Sequence, residues 1–234
     1  MVHAEQVRLR PRLQTIARQV PQGARLADIG TDHAHLPIWL MQQGRIAGAI
    51  ASDIRQGPLS RAAENAAAYG MQERLQLRLG GGLDEIQADE CDTIVIAGMG
   101  GETIAEILHK APWTAAGRHL LILQPMTMQA ELRQFLWEIG YDIEKETICQ
   151  EDHRYYVVIT VRGGSTPRKV RLSECCLSPA LCRDPMAEAY LRHLLRREAR
   201  ALAGLEQASA ADDTRLTAQR EVVACLRESL EEWQ

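Results

Sequence analysis

Short apolar runs alternate with helical patterns along the first two thirds of this 234-residue chain. Strands that alternate with helices are typical of an α/β fold with a doubly wound parallel sheet. Two further strands are joined by a short connection, which predicts an antiparallel pair at one edge of that sheet. The predicted strands cover residues 25–30, 47–53, 75–79, 92–97, 119–123, 142–149 and 155–161, and the helices between them cover residues 36–44, 58–69, 101–110 and 128–139.

The pattern changes at both ends of the chain. Residues 3–19 predict a basic amphipathic helix before the first strand, and Gly163-Gly-Ser-Thr-Pro167 predicts a linker. Beyond it, residues 185–208 and 214–233 predict two helices whose apolar residues step by three and four, which favours a coiled-coil-like hairpin. We therefore expect one domain over residues 1–164 and a helical hairpin domain over residues 165–234.

Composition excludes several classes of protein. Apolar residues make up 46% of the chain and charged residues 25%, which is typical of a globular protein and excludes a disordered or collagen-like one. No apolar run approaches the roughly 20 residues of a membrane span, and the polar N-terminus is unlike a secretory signal. The six cysteines lack zinc-site spacing. We expect a cytoplasmic monomer with reduced thiols, no metal site and no membrane association.

Charge is distributed unevenly along the chain. Residues 26–150 carry nine basic and seventeen acidic groups, whereas residues 1–25 and 151–200 each carry four more basic than acidic groups. An acidic centre with basic flanks fits a cationic ligand in the middle and a polyanion around it. Ordinary solvated surfaces would give the same imbalance.

The loop after the first strand reads Asp28-Ile-Gly-Thr-Asp-His-Ala-His35. In open α/β sheets, ligands bind beyond the carboxyl ends of the strands. Asp32 stands where a dinucleotide-binding loop has its second glycine, and its carboxylate would repel a phosphate, which disfavours a nicotinamide cofactor. The chain also lacks a P-loop.

A cationic cofactor such as S-adenosylmethionine fits these acids better. Asp28 and Asp32 can meet its positive groups, and Asp53, at the end of the second strand, can accept hydrogen bonds from ribose hydroxyls. A strand-ending turn at Asp28 and a helix N-cap at Asp53 are the structural alternatives. The fourth strand ends in Gly98-Met-Gly-Gly101, which allows close backbone approach to a ligand.

Four segments carry a resemblance to a known family: Asp28–Pro37, Gly57-Pro58, Ile96–Gly101 and Leu121-Ile-Leu-Gln-Pro125. Together they resemble the bacterial TrmK family of S-adenosylmethionine-dependent tRNA methyltransferases, which act on N1 of adenine 22. The resemblance covers about residues 8–162 closely and implies a Rossmann-like class I methyltransferase sheet with an antiparallel edge pair, followed by a C-terminal two-helix hairpin. It implies S-adenosylmethionine as cofactor and tRNA as partner.

The resemblance also implies the cofactor contacts. They fall on Asp28, Gly30, Thr31, Asp32, His33, Asp53, Ala97, Gly98 and Met99. After the third strand the family usually has an acid where this chain has Gly81. Backbone groups of Gly81 and Gly82 are then expected to serve the cofactor's adenine.

The candidate catalytic residue is Asp32, which can stabilise the charge of the methylated adenine, accept a proton, or only orient the cofactor. Gln124 and Pro125, after the fifth strand, are expected to hold the adenine. Tyr155 and Tyr156 alternate faces of an edge strand, and we expect Tyr155 to stack on a base.

Phosphate contacts are expected from arginines on two predicted helices. They are Arg8, Arg10, Arg12 and Arg18 on the first helix and Arg192, Arg196, Arg197 and Arg200 on the hairpin. Arg192, Arg196 and Arg200 step by four and share one helix face. Two alternatives to a tRNA methyltransferase remain: a methyltransferase of the same fold acting on another RNA or a small molecule, and a non-enzymatic RNA- or protein-interaction module.

Overall fold

A computed structural model describes residues 6–207 and 213–231 of the chain. The predicted alternation of strands and helices is confirmed, with boundaries shifted by a few residues. The elements are α1 (Pro11–Gln19), β1 (Leu26–Ile29), α2 (His35–Gln42), β2 (Ala49–Asp53), α3 (Gln56–Ala68), β3 (Leu75–Leu79), β4 (Thr93–Gly100), α4 (Gly101–Lys110), β5 (Leu120–Thr127), α5 (Gln129–Glu138), β6 (Asp142–Glu151), β7 (Arg154–Arg162), α6 (Ala187–Gln207) and α7 (Asp213–Glu231).

The seven strands form one sheet in the order β3-β2-β1-β4-β5-β7-β6. Strands β1 to β5 are parallel to one another, and β7 is antiparallel to both of its neighbours. The predicted antiparallel edge pair is therefore confirmed. Because β6 runs in the same direction as β5, the turn after β6 lies at the same edge of the sheet as the loops after β1, β2 and β4.

Each face of the sheet packs on its own buried cluster. One cluster joins α1, α2 and α3 to residues such as Val95 and Ile122 of the central strands. The other joins α4, α5 and the C-terminal helices to the alternate residues of the same strands, such as Ile94 and Leu121. Period-two alternation of buried residues, typical of a sheet covered on both sides, produces this division.

The first helix begins later than the sequence pattern predicts. It starts at Pro11 rather than at residue 3, and Arg10 is extended with φ −69° and ψ 160°. A proline disfavours the helical conformation in the residue before it and suits the first helical position. The prediction that Arg8 and Arg10 lie on this helix is therefore wrong, because both precede it. Residues 3–5 of the predicted helix lie outside the described residues.

The two C-terminal helices are confirmed as α6 and α7, which pack against each other. Helix α6 also contacts β7 through Tyr190 and Tyr155, and α7 contacts the segment Leu172–Cys176. Leu191 and Leu226 are fully buried in the same cluster as strand residues. The division of the chain at residue 164 stays a prediction. The connection at 208–212 and Trp233 lie outside the described residues. Within those residues, no helix combines the length and apolar character that crossing a membrane requires.

Candidate active site

A cleft at the carboxyl ends of β1, β2 and β4 consists of two cavities that share Gly30 and Asp53. The first, of about 420 Å³, is lined by the β1 loop together with Arg12 and Gly98, and we call it the loop cavity. The second, of about 290 Å³, is lined by residues 80–84 together with Met99 and Ile107, and we call it the glycine cavity. Ligands of open α/β sheets bind at this edge.

The β1 loop is locked to the neighbouring strand. The backbone N–H groups of Gly30 and Thr31 both donate to the Ser52 carbonyl, at 2.8 and 3.0 Å. Gly30 has φ +76°, and a Cβ at this position would collide with the Met99 side chain. The Thr31 hydroxyl accepts the N–H of Ala34 at 3.2 Å. Only glycine satisfies both constraints at position 30, so the loop holds one shape at the floor of the cleft.

Asp28 is a buried carboxyl group at the end of β1. Burial raises its pKa from 3.8 to about 6, and a hydrogen bond with the Thr31 side chain partly opposes that rise. Desolvation disfavours a charged carboxylate unless a cation approaches it. No described residue supplies Asp28 with an ion-pair partner, so a cationic ligand in the loop cavity would stabilise its ionised form.

Asp32 lies at the mouth of the loop cavity and is 64% exposed. Its carboxylate is 3.2 Å from His33 Nε2 and 3.6 Å from Arg61 Nη1. The imidazole of His33 stacks on that of His35, with ring centroids 5.2 Å apart. Burial and the neighbouring His33 lower the pKa of His35, with Asp32 opposing the shift. His35 lines the same cavity, a position that the sequence does not predict as a site.

Asp53 ends β2 and lies where the two cavities meet. It is buried and accepts the Arg55 N–H at 2.8 Å. The helix N-cap that the sequence offers as an alternative role is not what forms, because α3 begins at Gln56 and its N-cap position is Arg55. One carboxylate oxygen of Asp53 remains for a ligand. The next residue, Ile54, is 72% exposed and lines the glycine cavity. Together with Met99 and Ile107 it gives this cavity an apolar wall that suits an apolar ligand group.

The structure brings Arg12 into the cleft rather than onto an outer helix face. Its Nη1 donates to Gln124 Oε1 at 2.7 Å, its backbone N–H donates to Glu151 at 3.0 Å, and its guanidinium lies 5.8 Å from the ring centre of Tyr156. Arg12 is half-buried and forms no ion pair with any described residue. A fixed cation without an ion-pair partner thus faces a cavity whose lining also includes Asp28, Asp32 and Asp53.

The residues expected to hold the adenine are arranged differently from the prediction. Gln124 is fully buried, and its Nε2 donates to the Pro125 carbonyl at 2.9 Å while its Oε1 accepts Arg12. Pro125 is buried as well. Both ends of the Gln124 carboxamide are therefore engaged in hydrogen bonds within the protein. Gln124 holds the guanidinium of Arg12 beside the cleft.

Tyr155 lies on the opposite face of the sheet from Arg12. Its ring packs against Tyr190 and His193 of α6, with centroids at 5.8 and 5.1 Å. Strand alternation puts Tyr156 on the face that carries Arg12. Of the two tyrosines, Tyr156 is the one beside the cleft.

The arginines expected on the hairpin are exposed on α6 but are not equivalent. Arg192 pairs with Glu188 at 2.8 Å and Arg197 pairs with Glu198 at 2.6 Å. Arg196 and Arg200 form no ion pair with any described residue, and Arg8 also stands without one. Uncompensated cations are the ones available to a polyanion.

A family model described as a methyltransferase domain matches residues 9–159. The tRNA (adenine(22)-N(1))-methyltransferase of Bacillus subtilis is 38% identical over 159 residues, which cover 68% of this chain and 67% of that protein. The chain belongs to the TrmK family.

Solved TrmK structures share the whole architecture. The Bacillus subtilis m1A22 tRNA methyltransferase TrmK superposes with a TM-score of 0.84 at 29% identity, covering 96% of this chain and 100% of that one. TrmK from M. capricolum, solved in complex with S-adenosyl-homocysteine, superposes with a TM-score of 0.77 at 25% identity, covering 94% and 96%. The C-terminal helices are therefore part of the TrmK fold.

The cleft of this TrmK protein fits an S-adenosyl cofactor. Asp28 and Asp32 are part of the lining of the loop cavity, Ile54 and Ile107 form an apolar wall of the glycine cavity, and Asp53 lines both cavities. A Cβ on Gly82 would come within 2.9 Å of Ile107, so bare backbone is needed there. Within the described part of the chain, no group of three or more His, Cys, Asp or Glu residues is arranged to hold a metal ion.

Proposed function

We propose that this TrmK protein methylates N1 of adenine 22 in tRNA and uses S-adenosylmethionine as the methyl donor. The observation that carries the proposal is the paired cavity. The acids Asp28 and Asp32 in the loop cavity suit the cationic amino-acid end of the cofactor, and the apolar side chains of the glycine cavity, such as Ile54 and Ile107, suit its adenine. Asp53 stands between them, where an acid accepts the ribose hydroxyls. The similarity to the Bacillus subtilis enzyme, which is named for N1 of adenine 22 in tRNA, supports the choice of methyl acceptor.

Bound S-adenosylmethionine supplies a methyl group on an activated sulfonium. The protein's own residues contribute alignment and electrostatics. Asp28 and Asp32 hold the cofactor's positive groups, and the rigid Gly30 loop sets the position of its amino-acid end. Attack by N1 makes the adenine cationic. Asp32, at the mouth of the cavity, stabilises that charge or accepts a proton from the exocyclic amine.

The adenine must leave its stack before it can react, because N1 lies on the Watson–Crick edge. The rim next to β5 offers surfaces for it. Met126 and Met128 are about 40% exposed there, and Tyr156 lies beside Arg12. Aromatic and apolar side chains of this kind stack on unpaired bases.

We also propose that the protein acts as a monomer in the cytoplasm, where its tRNA substrate is. Among the described residues, the exposed large apolar side chains are Ile54, Leu79, Met126 and Met128. Ile54 lines the cleft, Met126 lies near the end of β5 and Met128 directly follows that strand. Light scattering of the purified protein at micromolar concentration tests this expectation and should return a mass close to 26.1 kDa.

Methyl transfer to defined transcripts tests the function. Purified protein and labelled S-adenosylmethionine are incubated with a tRNA transcript that carries A22 and with a matched transcript that carries G22. Nucleoside analysis should find N1-methyladenosine only in the first. Methylation of the G22 transcript would show that another tRNA position is the acceptor, and methylation of ribosomal RNA alone would show that another RNA is the substrate. Cofactor binding without transfer to any RNA would favour an interaction module.

A further inference from the structure

The glycine cavity contains an acid that the proposed mechanism does not use. Asp84 lines it and is exposed, and its carboxylate forms no ion pair or side-chain hydrogen bond with any other described residue. Its backbone N–H donates to the Gly81 carbonyl at 3.1 Å. This turn folds residues 81–84 back on themselves and places the free carboxylate beside Gly81.

The position of that carboxylate is defined by its neighbours. Asp84 Oδ2 lies 3.2 Å from the point that a Cβ on Gly81 would occupy, and Ile54 Cδ1 lies 3.7 Å from the same point. An anionic acceptor therefore sits at the edge of the apolar surface formed by Ile54. A flat heterocycle packed on Ile54 would present its rim to Asp84.

Adenine is the heterocycle that the proposed function brings to this cavity. Its exocyclic amine is a hydrogen-bond donor on the rim of the ring, and a carboxylate accepts such a donor. A buried donor left without an acceptor would weaken binding. Resting on the proposed function, we infer that Asp84 accepts a hydrogen bond from the exocyclic amine of the cofactor's adenine and makes the cleft selective for an adenosyl group.

Glu106 is the competing carboxylate, because it lines the same cavity from α4. Lys110 follows it one helical turn later and also lines the cavity, but the two side chains, both among the described residues, form no ion pair in the structure. Asp84 is instead beside Ile54 and Gly81.

Calorimetry with two ligands tests the assignment. One ligand is S-adenosylhomocysteine, and the other is its analogue with hydrogen in place of the exocyclic amine. We expect the wild-type protein to prefer the first by about 10-fold, the effect of one hydrogen bond to a charged group. Asp84→Ala should bind the two almost equally. Glu106→Ala, the matched control from the same cavity, should keep the preference.

A double variant separates the carboxylate from the fold. Gly81→Asp combined with Asp84→Ala moves the acid to the neighbouring position, where removal of Asp84 opens the space, and should restore the preference for the amine. The inference is overturned if Asp84→Ala keeps the preference, if Glu106→Ala removes it, or if the folded double variant binds both ligands equally. Failure of the wild-type protein to bind S-adenosylhomocysteine at all would instead contradict the proposed function.

Discussion

The guanidinium of Arg133 and the carboxylate of Glu146 lie 2.9 Å apart in the interior, each 1% exposed or less. Arg133 belongs to α5 and Glu146 to β6, so the pair joins a helix to the edge of the sheet. Arg133 also donates to the Cys175 carbonyl at 3.0 Å, and the Ser178 hydroxyl donates to Glu146. The segment that leads into the hairpin therefore completes a buried polar network of the methyltransferase unit.

We expect Arg133→Met to lower the free energy of unfolding by about 3–5 kcal/mol, because it leaves the Glu146 charge buried without a partner. Arg133→Met combined with Glu146→Leu should recover most of that loss, since no unpaired charge then remains. Urea denaturation of the two variants and the wild type measures both effects. Equal destabilisation by the single and double variants would show that the charge pair is not the cause.

Asp28 gives cofactor binding a pH dependence. Its pKa of about 6 in the free protein means that it is largely protonated at pH 5 and ionised at pH 8. A protonated carboxyl cannot pair with the cofactor's ammonium group, so affinity for S-adenosylhomocysteine should rise with pH through about 6 and then level off. Calorimetry between pH 5 and pH 8 should show this rise in the wild type and a flat profile in Asp28→Asn.

The same group should affect stability in the opposite direction. Because its pKa is raised on folding from 3.8 to about 6, its favourable contribution is present below pH 4 and is lost as the pH rises through 6. At pH 8 the free energy of unfolding of Asp28→Asn should therefore exceed that of the wild type by up to about 3 kcal/mol. The variant should accordingly unfold at a higher temperature. Thermal melts of ligand-free protein at pH 4 and pH 8 check the sign, and a larger difference at pH 4 would contradict it.

Asp32→Asn tests the proposed catalytic role. If Asp32 stabilises charge that develops during transfer, kcat should fall by about 100-fold, the lower end of the range for one electrostatic group, because the side chain is 64% exposed and paired with Arg61. Single-turnover rates at saturating cofactor measure the chemical step directly. Equal rates, with weaker cofactor binding, would leave Asp32 an orienting role only.

Arg12→Gln should affect turnover more than tRNA affinity, because the guanidinium faces the loop cavity and is held by Gln124. We expect kcat to fall by about 10-fold or more, the loss of one charge-assisted contact. Arg18→Gln is the matched control, since Arg18 is exposed on the same helix. A loss that appears only in tRNA affinity, and grows weaker with added salt, would place Arg12 on a phosphate instead.

Arg196 and Arg200 should carry RNA affinity from the hairpin, because neither is neutralised within the described chain. Replacing both with Gln should weaken tRNA binding at low salt and reduce the slope of log affinity against log salt by about 1 to 2. Arg192→Gln should change the slope less, because the charge of Arg192 is already paired with Glu188. Filter binding at several salt concentrations supplies the slopes. An unchanged slope in the double variant would show that this face of α6 does not contact RNA phosphates.

Local pattern alone predicted the architecture well. The alternation of apolar runs with helices, and the short turn between β6 and β7, depend on neighbouring residues, so the sequence predicted the parallel sheet and its antiparallel edge pair. The loop motif from Asp28 to Asp32 predicted a cleft for a cationic cofactor by the same local logic. The start of α1 at Pro11 could also have been predicted locally, because proline suits the first helical position. The apolar spacing of residues 7 to 17 instead favoured an earlier start.

The tertiary structure decided how distant residues meet. Arg12 and Gln124 are 112 positions apart, and only the packing of α1 beside β5 and β7 turns an expected phosphate contact into a group inside the cleft. Burial of Asp28, which raises its pKa, likewise depends on strands on both sides of β1. The carboxylate of Asp84 reaches the Gly81 wall through a turn that no periodicity predicts. Strand and helix patterns are set by neighbours in the chain, whereas charge, burial and contact at a site are set by neighbours in space.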